Sequence, residues 1–190
     1  MRRELVEQAQ RGDHDAFAAL ATAEIGRLDA AARLILHDPD LARDAVQEAL
    51  VRAWRDLPGL RNADRFDAWL HRLLVHACLD AARARRRYRF EVELRPIDDA
   101  AAPDHVADLA VRDELERGFS RLDPEQRAVI VLHYYLGLPL PEAAATLGMP
   151  LGTAKSRLSR SLQALRAALD AESRTIEVAS RAGRANGGAT

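Results

Sequence analysis

One cysteine, Cys78, in 190 residues excludes an internal disulfide and suits a reducing compartment. Lysine is almost missing: of 28 basic residues only Lys155 is not arginine. Such an excess fits either a GC-rich genome or a demand for bidentate contacts to carboxylate and phosphate. Aromatics make up only 5% of the chain, whereas alanine and leucine are plentiful, which favours helices over strands. Long apolar runs are also lacking. The longest uncharged stretch, Ala128–Pro141, falls well short of the ~20 residues a membrane span requires. The opening MRRELVEQAQRGD has no apolar segment of the signal-peptide kind, so a cytoplasmic chain without membrane insertion is expected. Net charge is −1, so any nucleic-acid contact must come from local basic clusters rather than from the chain as a whole.

What is present is organised around LPLPEAAATLGMPLGTAKSRLSRSLQALRAAL, Leu138–Leu169. The pattern predicts a short helix over about Leu140–Leu147, a break at Gly148-Met149-Pro150 and a longer helix from Leu151, the spacing of a helix-turn-helix. In the second helix Leu151, Ala154, Leu158, Leu162, Leu165 and Leu169 form one apolar face. Thr153, Ser156, Arg160 and Gln163 point the opposite way, flanked by Lys155, Arg157 and Ser159. From Gly148 to Leu169 there are four basic residues and no acidic one, where a merely solvated face would mix both signs. Hydroxyls, an amide and guanidinium groups on such a face donate to phosphates and to guanine edges in the major groove.

Upstream, Met1–Arg11 reads as a short helix, and Asp13 caps a second one through about Leu36. Asp38-Pro39 supplies a cap and a first-turn proline for a third, running to about Leu57 with Leu41, Ala45, Val46, Leu50, Ala53 and Leu57 inward. Its other face carries Asp44, Gln47, Glu48, Arg52 and Arg55, and periodicity alone makes that face a solvated one. After a loop at Pro58–Ala63, Asp64 is expected to cap a helix to about Arg87 that buries Phe66, Leu70, Leu73, Leu74 and Ala77. That helix ends among Arg83, Arg85, Arg86, Arg87 and Arg89, which repel one another unless anions neutralise them. A basic helix end also complements its own dipole, but beside a helix-turn-helix a phosphate-contacting role is the stronger reading. Phe66 and Trp69 follow the loop residues Arg61, Asn62 and Arg65, and aromatic faces of that kind stack on unpaired bases.

The fold class expected is therefore all-α: two small helical domains joined by a flexible linker, with boundaries at 1–88, 89–105 and 106–169 and a flexible tail at 170–190. Asp123-Pro124-Glu125-Gln126 predicts a capped helix start in the second domain, and that helix ends at Gly137. A linker of about 20 residues extends to at most ~65–70 Å at ~3.3 Å per residue. With a rise of about 3.4 Å per base pair, the chain bridges sites roughly 15–20 base pairs apart.

At this point the sequence resembles a family. DAVQEALVRAW (Asp44–Trp54) and FDAWLHRLLVHACLDAARARRR (Phe66–Arg87) look like region 2 of bacterial RNA polymerase sigma factors, and Leu122–Arg166 looks like region 4. A short linker in place of region 3 is similar to the extracytoplasmic-function (ECF) group, and the resemblance covers about residues 5–169. It implies a sigma factor that binds core RNA polymerase and directs transcription initiation at promoter DNA. Asp44, Gln47, Glu48 and Arg52 would dock on polymerase. Arg61, Asn62, Arg65, Trp69, His76, Arg83, Arg86 and Arg87 would capture and hold melted −10 DNA. Thr153, Lys155, Ser156, Arg157 and Arg160 would read the −35 element as duplex. It also implies an anti-sigma factor as a partner, and neither a cofactor, a metal nor a small-molecule substrate. Two departures stand out: His76 occupies a position where family members often have Asn, and Pro139 and Pro141 replace the usual Ser and Glu at the start of the helix-turn-helix.

Two other classes compete with this reading. A stand-alone helix-turn-helix regulator with an N-terminal partner- or ligand-binding domain explains Leu138–Leu169 but not the arginine cluster or the tether, and no second apolar face for a dimer is visible. An enzyme or metalloprotein would have to use His71, His76 and Cys78, but the two histidines lie five residues apart and point in different directions on one helix. No phosphate loop, nucleophile–base set or carboxylate pair stands out, so no catalysis by this chain is expected.

Overall fold

In the computed structural model, which describes residues 1–92 and 118–167, every regular element among the described residues is helical. Helices α1 (Arg2–Gln10), α2 (His14–Leu36), α3 (Pro39–Asp56) and α4 (Phe66–Val92) form a first bundle. After residues 118–120, which are helical, α5 (Pro124–Ile130), α6 (Leu140–Thr146) and α7 (residues 151–167) build a second unit.

Local chemistry sets the helix starts. The Asp13 carboxylate accepts from the amides of Asp15 and Ala16, and that of Asp38 from Asp40 and Leu41, each satisfying two of the donors a first turn leaves open. Asp123 and Gln126 form a reciprocal capping box in front of α5. The cap in front of α4 differs from expectation. Asn62, rather than Asp64, accepts a backbone N–H (that of Asp64, 2.9 Å) and starts a 3₁₀ turn over Ala63–Arg65, so that α4 begins at Phe66. At its far end α4 continues to Val92, four residues into the stretch read as linker. The rest of that stretch and the tail lie outside the described residues.

The last turn of α5 widens into a π-turn over Val131–Tyr135. The N–H groups of Leu136 and Leu138 reach back to Val131 and Leu132, and Gly137 takes the left-handed conformation (φ +74°) that this closure requires. Gly148 does the same (φ +64°) at the turn between α6 and α7, as the break in the sequence predicts.

α3 packs against α2 and α4, and α1 lies across α2. In α3 and α4 the inward faces largely match the stripes read from sequence, with Ala45, Ala53, Phe66, Leu70 and Leu74 buried, and α2 buries Leu20, Leu28 and Ile35 while Ile25 stands exposed. Leu151 is exposed, because α7 does not meet the rest of its unit until Ala154. The second unit also leans on the first, with α5 against α2 and α4, and one uninterrupted apolar core runs from Val6 to Leu165.

Candidate nucleic-acid interface

α7 sorts its side chains cleanly. Ala154, Leu158, Ser161 and Leu165 are buried, whereas Thr153, Lys155, Ser156, Arg160 and Gln163 are exposed. The Ser156 hydroxyl donates to the Thr153 carbonyl (3.0 Å), and the Arg160 Nε to the Ser156 carbonyl (3.2 Å), which lays the guanidinium along the helix surface. Arg157 is different: half-buried, it ion-pairs with Glu125 at the start of α5. That contact ties α7 to the helix behind it and leaves Arg157 the least available of the five residues expected to read duplex DNA.

On the first bundle, the loop between α3 and α4 is braced from beneath by Gln10, whose amide donates to the carbonyls of Leu57 (3.2 Å) and Leu60 (2.7 Å). Arg61 and Asn62 stand exposed on that brace, although the Asn62 side-chain oxygen is already used as a cap. Trp69 is half-buried, its ring tilted against that of Phe66 with centroids 6.0 Å apart. Arg86 and Arg87 are exposed, and Arg83 reaches back to Asp80 (3.2 Å). Arg85, from the same cluster, turns inward to the Asp38 carboxylate at the head of α3 and is structural. Arg65 and His76 face the second unit: Arg65 pairs with Glu142 (3.1 Å), and the His76 Nε2 lies 2.7 Å from the Thr146 carbonyl.

Asp44, Gln47 and Glu48 are exposed along α3. Arg52 is half-buried between Glu48 (2.6 Å) and Asp80 (3.5 Å), so Asp80 links the α3 face to Arg83 on α4. Sequence reading missed Gln10, Asp80, Arg27 and Glu142, whose pairings depend on helices far apart in the chain.

His71, His76 and Cys78 do not converge. His71 is buried against Glu24 (3.8 Å), His76 meets Thr146, and Cys78 is buried in the core, where desolvation pushes its thiol up to about 12. Among the described residues no helix is long and apolar enough to cross a membrane.

Comparisons with known proteins agree with this geometry. Residues 20–88 match the model of sigma-70 region 2, and residues 112–165 that of sigma-70, region 4. An RNA polymerase sigma-E factor of Streptomyces avermitilis is 36% identical over 149 residues, 77% of this chain and 82% of that protein. The ECF RNA polymerase sigma factor SigM of Mycobacterium tuberculosis is 32% identical over 158 residues, 83% of this chain and 79% of that one. Among solved structures, the sigma factor RpoE of Bartonella quintana, in complex with the anti-sigma factor NepR, is 27% identical with a TM-score of 0.68, covering 81% of this chain and 96% of that one.

Proposed function

The chain belongs to the sigma-70 family, in its ECF group, and directs promoter-specific initiation of transcription by RNA polymerase; on that premise we propose how its residues divide the work. Residues 1–88 form the unit that docks on core polymerase and holds opened DNA, and residues 106–169 the unit that reads duplex. Asp44, Gln47, Glu48 and Arg52 present the α3 face to polymerase. Arg61, Asn62 and Trp69, with Arg65, His76, Arg83, Arg86 and Arg87, take the unpaired −10 strand by stacking and by charge. Thr153, Lys155, Ser156 and Arg160 enter the major groove at −35, with Arg157 at the edge of that contact.

The observation that carries this reading is the split of α7, which buries Ala154, Leu158 and Leu165 while exposing hydroxyls, Lys155 and Arg160 in a stretch without a carboxylate. Catalysis is supplied by the polymerase, and the chain acts in the cytoplasm, where polymerase and DNA meet. The complex of RpoE with NepR supports an anti-sigma factor as a further partner. A stand-alone regulator would leave the bundle of α1–α4 without a task and is not favoured.

The test is transcription in vitro with purified core polymerase over a promoter library. Transcripts should start from templates that share a −35 and a −10 sequence. Arg160→Ala should cost ~1–3 kcal/mol at one −35 base pair if its contact there is bidentate. An unaltered −35 preference removes Arg160 from the contact set. Failure to initiate anywhere, together with tight dimeric binding of a palindrome by the chain alone, overturns the whole reading.

A further inference from the structure

The loop that carries Arg61 and Asn62 is anchored by burial at its ends. Leu57 and Phe66 are buried there, whereas Pro58, Gly59, Arg61, Asn62, Asp64 and Arg65 stand exposed and Leu60 and Ala63 are half-buried. Between the ends run two 3₁₀ turns, Leu57–Gly59 and Ala63–Arg65. What sets these turns against the bundle comes from α1. A glutamine side-chain nitrogen carries two hydrogens, and the Nε2 of Gln10 donates to the carbonyls of both Leu57 (3.2 Å) and Leu60 (2.7 Å). It thus spans the first turn, whose own bond runs from the Leu60 N–H to the same Leu57 carbonyl (3.0 Å). Farther along, Arg3 reaches Asp64 in the second turn (3.6 Å), and the Arg2 Nε donates to Asp67 at the start of α4 (3.1 Å). α1 therefore meets the loop along its length, yet it lies ahead of residue 20, where the match to region 2 begins.

The Leu60 contact governs direction. A peptide unit is planar, so a carbonyl held in place also holds the N–H of the next residue, here Arg61. The plane that Gln10 fixes is the one from which Arg61 and then Asn62 leave the loop. Asn62 in turn accepts the Asp64 N–H (2.9 Å), which carries the path on into α4. The Arg3 pair is exposed and contributes little. Gln10 is half-buried beneath the loop, where water competes less for its N–H groups.

We propose that Gln10 is a positioning residue for capture of the opened −10 strand, its amide setting the loop in the shape with which Arg61 and Asn62 tell one unpaired base from another. The inference rests on the functional reading above. A loop already in its binding shape loses little further conformational entropy when a base arrives, and it rejects a base that does not fit. A loop without the brace adapts to either base, so removing the amide costs discrimination at −10 more than initiation as such. The polymerase-facing side of α3 and the exposed side of α7 are built on other helices and do not depend on Gln10.

The test uses the full-length chain with core polymerase. Gln10→Met keeps the length of the side chain and has no donor, whereas Gln10→Lys restores a donor. Initiation is measured from paired templates that differ by one base pair in the −10 sequence selected from the library, and from pairs that differ in the −35 sequence. In Gln10→Met the −10 preference should fall about fivefold, the scale of one neutral hydrogen bond, while the −35 preference stays. Gln10→Lys should recover most of the −10 preference. A purely structural defect lowers the amount of folded protein, scales every template alike and leaves both preferences unchanged. Gln10→Asn, which draws the amide back by one methylene, takes the place of Gln10→Met if that variant does not fold. Amide hydrogen exchange gives a second readout: residues 58–65 should exchange faster in Gln10→Met, with α2 unaltered. A −10 preference lost equally in Gln10→Lys assigns the effect to side-chain shape and overturns the inference. An unchanged −10 preference in folded Gln10→Met also overturns it and leaves the functional reading standing. A wild-type chain that initiates from no template overturns that reading, and this inference with it.

Discussion

His71 sits where a titratable group is expensive. Both ring nitrogens and one Glu24 oxygen are buried without a hydrogen-bond partner, and Arg2 and Asp67 complete the cluster. Burial, and after it the positive charge of Arg27, lowers the imidazole pKa below its ordinary 6.5, outweighing the pull of Glu24 and Asp67 toward the charged form. The folded state then binds fewer protons than the unfolded one just below pH 6.5, so stability from this site is complete above that pH and lost as pH falls through it. Melting temperature should therefore drop between pH 8 and roughly 5.5. In His71→Gln the drop should shrink. An identical pH profile in the variant would show that other groups carry the dependence.

At the scale of the helix, Asp38 joins two elements. Its carboxylate caps α3 and also receives Arg85 from near the end of α4. Partial burial disfavours its charge, but the Leu41 and Asp40 amides and the Arg85 guanidinium outweigh that and hold the carboxyl below its ordinary range. Asp38→Ala should cost about 1–2 kcal/mol through the lost cap. Asp38→Asn retains the cap and removes only the ion pair, so it should cost less. Equal costs in denaturant titration would mean that the cap contributes nothing. A lost Asp38 cap frays the start of α3, the helix that carries Asp44, Gln47, Glu48 and Arg52.

For the molecule as a whole, the shared core has a calorimetric consequence. Two helical units on a tether should melt independently, whereas units joined by one apolar cluster should melt together. The free chain should give a single transition with calorimetric and van't Hoff enthalpies in agreement. Two separate transitions would mean that the apolar cluster does not couple the two units.

Residue order alone determined the all-α class, the caps at Asp13, Asp38 and Asp123, the helix-turn-helix with Gly148 at its break, and most of the faces of α7, though not the exposure of Leu151 or the burial of Ser161. Each of these depends on neighbours within about one helical turn, where spacing fixes direction. The exceptions are also local. Asn62 took the cap expected of Asp64 because a 3₁₀ turn intervenes, and α4 passed beyond Arg87 because nothing in its sequence stops it before Val92. What only the tertiary structure decided are pairings between distant helices: Arg85 withdrawn to Asp38, Gln10 beneath the loop, and Arg27, Arg65 and His76 turned onto the second unit. A one-dimensional pattern shows that a side chain is polar and which way it leaves its helix. Whether it meets water, DNA or another helix depends on how the helices pack, and that packing is set by the apolar core they share.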